Sequence, residues 1–136
     1  MSGLYEIYCD GGCKVGHDVG VATYLFVMGG EVQFAHTTLL TGKGLTNNQA
    51  EYTAVYLSLT DVVLEGKCNI YSDSEIVVKQ LNGNYKVKEK KLQTLNNNIM
   101  MLVKDGAVSP TFYNVPRENK YIVLCDKINK QIMEMI

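Results

Sequence analysis

A chain of 136 residues is read as one domain, large enough to bury a single core. Apolar residues make up 46% and charged ones 20%, which excludes a disordered chain, and no apolar run is long enough to span a bilayer. The net charge of −1 lacks the overall basic signature of many nucleic-acid binders. The lysines are unevenly spread, however: Lys86, Lys88, Lys90 and Lys91 lie in NYKVKEKK with only Glu89 against them, a local basic patch able to contact phosphates.

In chain order, Leu4 to Tyr8 alternates as a first strand running into Asp10 and a glycine turn at Gly11-Gly12. Val19 to Met28 is a second strand, Gly29-Gly30 a tight hairpin turn, and Glu31 to Leu40 a third strand, together an antiparallel meander. Thr46 or Asn47 caps a helix whose buried face includes Ala50, Ala54, Leu57 and Val62, and which ends at Glu65-Gly66. Cys68 to Tyr71 is a short buried strand. Ser72 or Ser74 caps a brief helix that stops at Asn82-Gly83. A helix from about Glu89 to Lys104, a strand from Thr111 to Val115 and a helix from Tyr121 to Met135 complete the chain. Strands first, then alternating helix and strand, imply an α/β fold with a mixed sheet covered by helices.

Cys9, Cys13, Cys68 and Cys125 form no CxxC pair and have no histidine at a zinc spacing, so they are read as reduced thiols; a bridge between Cys9 and Cys125 is the alternative. The opening MSGLYEIYCD has neither the basic start nor the apolar middle of a signal peptide, and the expected location is the cytoplasm.

Four acidic residues stand in distinctive settings: Asp10 in YCDGG, Glu51 in TNNQAEY, Asp73 in YSDSEIVVKQLNG, and Asp126 after VPRENK. Each has a bland reading. Asp10 suits a turn before glycines, Glu51 a helix N-terminus, and Asp73 a cap. If the first and fourth strands are adjacent, however, Asp10 and Asp73 meet at the carboxyl edge of the sheet, where open sheets bind ligands. Gathered carboxylates repel one another and persist mainly where divalent cations neutralise them. That points to magnesium-dependent phosphodiester chemistry, in which two cations about 3.5–4 Å apart activate water and stabilise the leaving oxygen. His17 and His36 are the only histidines, and no Ser-His-Asp constellation or P-loop competes.

These blocks, with the tail Val115-Pro116-Arg117-Glu118-Asn119 and Cys125-Asp126, resemble type 1 ribonuclease H from Tyr5 to about Gln131. The resemblance implies the ribonuclease H-like fold, a five-stranded mixed sheet flanked by helices, in a single domain spanning 1–136. It also implies a monomeric endoribonuclease that cleaves the RNA strand of an RNA–DNA hybrid with two Mg2+, or Mn2+ in their place. Asp10 would bridge both ions, with Glu51, Asp73 and Asp126 as the other ligands. Amides of Gly11, Gly12 and Cys13 would meet ribose 2′-hydroxyls, and Asn47, Asn48 and Gln49 the groove edges, with Asn48 favoured because Asn47 can be consumed in capping. Thr46 and Lys88 would hold the DNA-strand phosphate, and Ser74 and Lys86 lie on the same substrate path.

The chain departs from the family in four places. Asp126 lies three residues later than usual after Asn119; four residues on stands Val123, which cannot bind a metal. The extra residues are close to one helical turn, so Asp126 can face the same way, with Glu118 as the competing ligand. Gly16 replaces a frequent asparagine and Glu75 a frequent glutamine, and the loop before the last helix holds Asn114, Arg117, Glu118 and Lys120 but no histidine. Two rivals follow: a non-catalytic hybrid- or duplex-binding module of the same fold, and a related nuclease acting on DNA junctions or duplex RNA.

Overall fold

Period-two alternation builds the first half of the molecule. In the computed structural model, which describes residues 5–14, 16–62, 66–106 and 108–136, β1 (Tyr5–Lys14), β2 (Val19–Met28) and β3 (Glu31–Thr41) form an antiparallel meander. Gly29 and Gly30 join β2 to β3 with φ of 59° and 79°. Two successive positive φ values suit the right-handed twist of a tight hairpin and exclude most side chains. β4 (Gly66–Ser72) and β5 (Val108–Asn114) lie parallel to β1, and the sheet order is β3-β2-β1-β4-β5.

The helices are α1 (Asn47–Asp61), α2 (Glu75–Leu81), α3 (Lys90–Lys104) and α4 (Lys120–Glu134). On one face of the sheet, Ile7, Cys9, Ala22, Tyr24, Phe26 and Ile70 pack against Tyr52 and Val55 of α1, Val77 of α2 and Leu92 and Ile99 of α3. On the other face, Tyr8, Leu25 and Val27 pack against Ile122 and Cys125 of α4. Ile7, Leu25, Ile70, Ile99 and Ile122 are almost fully buried. Each such side chain contributes about 1.5–3 kcal/mol of transfer free energy. The side chain of Lys14 ties down the end of α4, its Nζ donating to the carbonyls of Met133 at 3.3 Å and Ile136 at 2.8 Å.

A row of tyrosines runs across the α4 side of the sheet. Ring centroids are 5.4 Å apart for Tyr113 and Tyr71, 4.6 Å for Tyr71 and Tyr8, and 4.6 Å for Tyr8 and Tyr121, the last on α4. Among the described residues, no helix is long and apolar enough to cross a membrane.

Three boundaries correct the reading of the sequence. The glycines after Asp10 form no turn: β1 continues through Gly11 and Gly12, which pair with Ala22 and Val21 of β2. The long β2 supplies backbone partners as far as Lys14, opposite Val19, so the ladder outruns the local turn signal. The first helix stops at Asp61 rather than Glu65-Gly66, and Gly66 opens β4; Glu65, like Leu4 of the first strand, lies outside the described residues. β5 begins at Val108 and takes in Pro110, because an edge strand can spare one N–H.

Candidate active site

Parallel pairing brings the first two acids together. Cys9 of β1 sits opposite Ser72, the last residue of β4. Asp10 and Asp73 follow these partners, so both emerge at the carboxyl edge of the central strands. α1 supplies the third acid. Thr46 is its N-cap, with the Thr46 hydroxyl accepting from the N–H of Gln49 and the Gln49 side chain accepting from the N–H of Thr46. This box starts the helix so that Glu51 projects toward β1, where its carboxylate accepts the N–H of Gly11. A Cβ on Gly11 would lie 2.5 Å from the Ala50 carbonyl oxygen and 2.7 Å from the Glu51 nitrogen, so only glycine lets helix and strand approach this closely.

One carboxylate oxygen from each of Asp10, Glu51 and Asp73 falls within 4.8 Å of the others. Asp10 and Glu51 are buried and Asp73 is half-buried. Burial pushes Asp10 up to about 6, with the charges of Asp73 and Asp126 adding to it, while hydrogen bonds from Glu51 and Asn129 oppose the rise. Burial and then the charge of Asp10 push Glu51 well above the usual carboxylate range. Burial also raises Asp73, against the pull of the Arg117 guanidinium, whose Nε lies 3.9 Å from Asp73 Oδ2. Three oxygen donors that resist ionising together fit a hard divalent cation, which replaces repulsion with coordination.

Asp126 lines the same cleft, of about 470 Å³, but lies outside that close group. It sits on the second turn of α4 and pairs with Lys130 at 3.0 Å. Val123 is exposed on α4, and Glu118 is not among the cleft-lining residues.

The candidate substrate contacts divide. Gly11, Gly12, Cys13, Asn47, Asn48 and Ser74 line the cleft beside the acids; Thr46, Gln49, Lys86 and Lys88 do not. Asn47 is engaged, though not by capping: its Oδ1 accepts the N–H of Cys13 at 2.8 Å. The amides of Gly11 and Cys13 are therefore already occupied within the protein. Ser74 is the N-cap of α2. Lys86 and Lys88 are exposed in the stretch between α2 and α3, and Lys90 and Lys91 open α3.

The departures from the family pattern have local explanations. Gly16 has φ of 80°, a left-handed conformation that glycine and asparagine share. Glu75 lies outside the cleft lining and pairs with Lys79 at 3.5 Å. The loop lacking histidine instead brings Arg117 to Asp73. All four cysteines are free, with Cys9, Cys68 and Cys125 buried. Sequence reasoning missed Asn129, whose Nδ2 donates to Asp10 Oδ2 at 3.2 Å. An asparagine within a helix carries no motif; its place on the apolar stripe of Ile122 and Cys125 was the available signal.

Similar folds occur among solved structures. The N-terminal RNase H domain of rv2228c from Mycobacterium tuberculosis superposes with a TM-score of 0.82 at 23% identity, covering 98% of this chain and 96% of that one. LC11-RNase H1, isolated from compost by a metagenomic approach, gives 0.84 at 24% identity over 98% of both chains. The same enzyme in complex with RNA/DNA hybrid gives 0.80 at 23% identity, covering 95% of this chain and 99% of that one. RNase H1 from the halophilic archaeon Halobacterium salinarum gives 0.83 at 21% identity, covering 98% and 100%. The model of the RNase H family matches residues 3–114, a span that holds the whole sheet and the Asp10, Glu51 and Asp73 cluster. By that match over most of its length, this chain belongs to the RNase H family.

Proposed function

We propose that this chain is a monomeric, single-domain endoribonuclease that hydrolyses the RNA strand of RNA–DNA hybrids, using two Mg2+ ions with Mn2+ as a substitute. The observation that carries the reading is the meeting of Asp10, Glu51 and Asp73 oxygens within 4.8 Å in an open cleft. Family membership supports the nuclease chemistry, and the hybrid bound by LC11-RNase H1 supports the substrate.

Asp10, Glu51, Asp73 and Asp126 would hold the ions. When bound, the ions supply an activated water and stabilise the leaving oxygen. The protein supplies orientation. The N–H of Gly11 fixes Glu51, and Asn129 fixes Asp10. Asp73 directly follows Ser72, whose pairing with Cys9 places the end of β4 beside β1, and Lys130 restrains Asp126. Asn48 and Ser74 flank the acids with groups suited to ribose and base edges, and Arg117 and Lys130 bring positive charge for phosphate. Lys86, Lys88 and Thr46 would hold the DNA strand outside the cleft proper.

The test is cleavage of labelled RNA–DNA hybrid, duplex RNA, duplex DNA, DNA junctions and single-stranded RNA, each with Mg2+, Mn2+ or chelator. Cutting of hybrid alone, abolished by chelator, is the expected result. Binding of hybrid without cleavage in either metal would make the chain a binding module, and cutting of another substrate would reassign its specificity.

A further inference from the structure

Asn129 is 2% exposed on the face of α4 that otherwise presents Ile122 and Cys125 to the sheet. An amide among apolar neighbours is costly unless all its groups are satisfied. Here they are satisfied in a directed chain. Asp10, Thr23 and Thr37 are lateral partners on β1, β2 and β3, and Asn129 lies across the first two from α4. The Thr23 hydroxyl donates to Asn129 Oδ1 at 2.6 Å, and Asn129 Nδ2 donates to Asp10 Oδ2 at 3.2 Å. Thr23 has one hydroxyl proton, so at the 2.9 Å contact with Thr37 it is Thr37 that donates. An ionised Asp10 can only accept, and this sets the amide with its NH2 toward the carboxylate. Thr23 is fully buried, and its hydroxyl links Thr37 on one side to Asn129 on the other.

We propose that Asn129, locked by Thr23, is a positioning residue that fixes the Asp10 carboxylate by occupying Oδ2 and so prepares Asp10 to take a divalent cation. The inference rests on the metal-binding reading of the Asp10 cluster. Partners just outside a set of metal ligands orient those ligands, and losing one weakens metal affinity by about 10- to 100-fold.

The experiment titrates Mn2+ into the metal-free full-length chain, follows free ion by electron paramagnetic resonance, and records Tm on the same samples. Asn129→Leu and Thr23→Val should melt cooperatively and bind Mn2+ about 10-fold more weakly than wild type. Thr23→Ser, which keeps the hydroxyl, should retain wild-type affinity. Hybrid cleavage by Thr23→Val should recover as Mg2+ is raised, a response that a packing defect does not give. If Asn129→Leu fails to fold, the Val and Ser variants at Thr23 decide. Folded variants that titrate like a Mn2+-binding wild type would overturn this inference alone. A wild type that takes up no Mn2+ would overturn the metal reading, and this inference with it.

Discussion

Gly11 donates its backbone N–H to the Glu51 carboxylate, so β1 and α1 are joined at the residue beside Asp10. The join depends on the missing side chain. Gly11→Ala should push its Cβ into the backbone of Ala50 and Glu51, costing about 1–3 kcal/mol and displacing one acid from another. The neighbouring Gly12→Ala would meet only the Met133 methyl at 3.5 Å and should stay within about 1 kcal/mol of wild type. Urea unfolding of the two variants checks the contrast; equal stabilities would mean that the close approach is not needed.

Asp73→Asn should abolish hybrid cleavage while leaving the fold intact. Removing one charge relieves repulsion within the metal-free cluster, and the Arg117 partner is too exposed to be missed. Tm should be unchanged or higher. An unfolded variant, or one that cleaves normally, would show that Asp73 serves only as a lead-in to α2.

The raised Asp10 makes a signed pH prediction. Its folded pKa of about 6 exceeds the unfolded value, so the folded state holds this proton more tightly. The stability contribution of Asp10 is therefore greatest at low pH and is lost as pH rises from about 4 through 6. Glu51 and Asp73 shift in the same direction. In chelator, Asp10→Asn should gain stability relative to wild type between pH 4 and pH 7, by ~2–3 kcal/mol. Saturating Mg2+ should shrink that gap. A pH-independent difference would show that the folded state does not raise Asp10, whether by burial or by its acidic neighbours.

Much of this was legible beforehand, and the exceptions share a cause. The β2 boundaries, the Gly29-Gly30 hairpin and the meeting of Asp10, Glu51 and Asp73 followed from local pattern and motif. Gly11 and Gly12 read as a turn because the pressure on Gly11 comes from Ala50, a neighbour that only the tertiary fold supplies. Thr46 was legible as a cap candidate, but Gln49, its reciprocal partner in the capping box, was read only as a groove contact. Asn129 stayed hidden because its partners, Thr23 and Asp10, lie more than a hundred residues away.

Asp126 and Glu118 compete for the fourth ligand position, and the fold separates them. Asp126 faces the cleft from α4, held by Lys130, whereas Glu118 lies outside its lining. Asp126→Asn should severely lower Mg2+-dependent cleavage, with a smaller loss in Mn2+. Glu118→Gln should change the rate by no more than about twofold. The reverse pattern would reassign the ligand. The pH–rate profile should have no limb that disappears on mutating His17 or His36.

The exposed lysines between α2 and α3 should set affinity and leave chemistry alone. Replacing Lys86, Lys88 and Lys90 with Gln should weaken hybrid binding and flatten its salt dependence by about one unit of slope per lost phosphate contact. The rate at saturating hybrid should hold. An unchanged slope would make these lysines a solvated surface.

The tyrosine row gives the molecule an optical gauge of its own. The chain has nine tyrosines and no tryptophan, so near-ultraviolet dichroism and intrinsic emission are free of indole signal. Tyr8 stacks on Tyr71 of the sheet and meets Tyr121 of α4 at a tilt, and the Tyr121 hydroxyl also donates to the Gly30 carbonyl at 2.7 Å. Ring coupling across that junction exists only while α4 is seated. Since α4 also carries Asp126 and Asn129, the same label-free signal follows the helix that finishes the cleft.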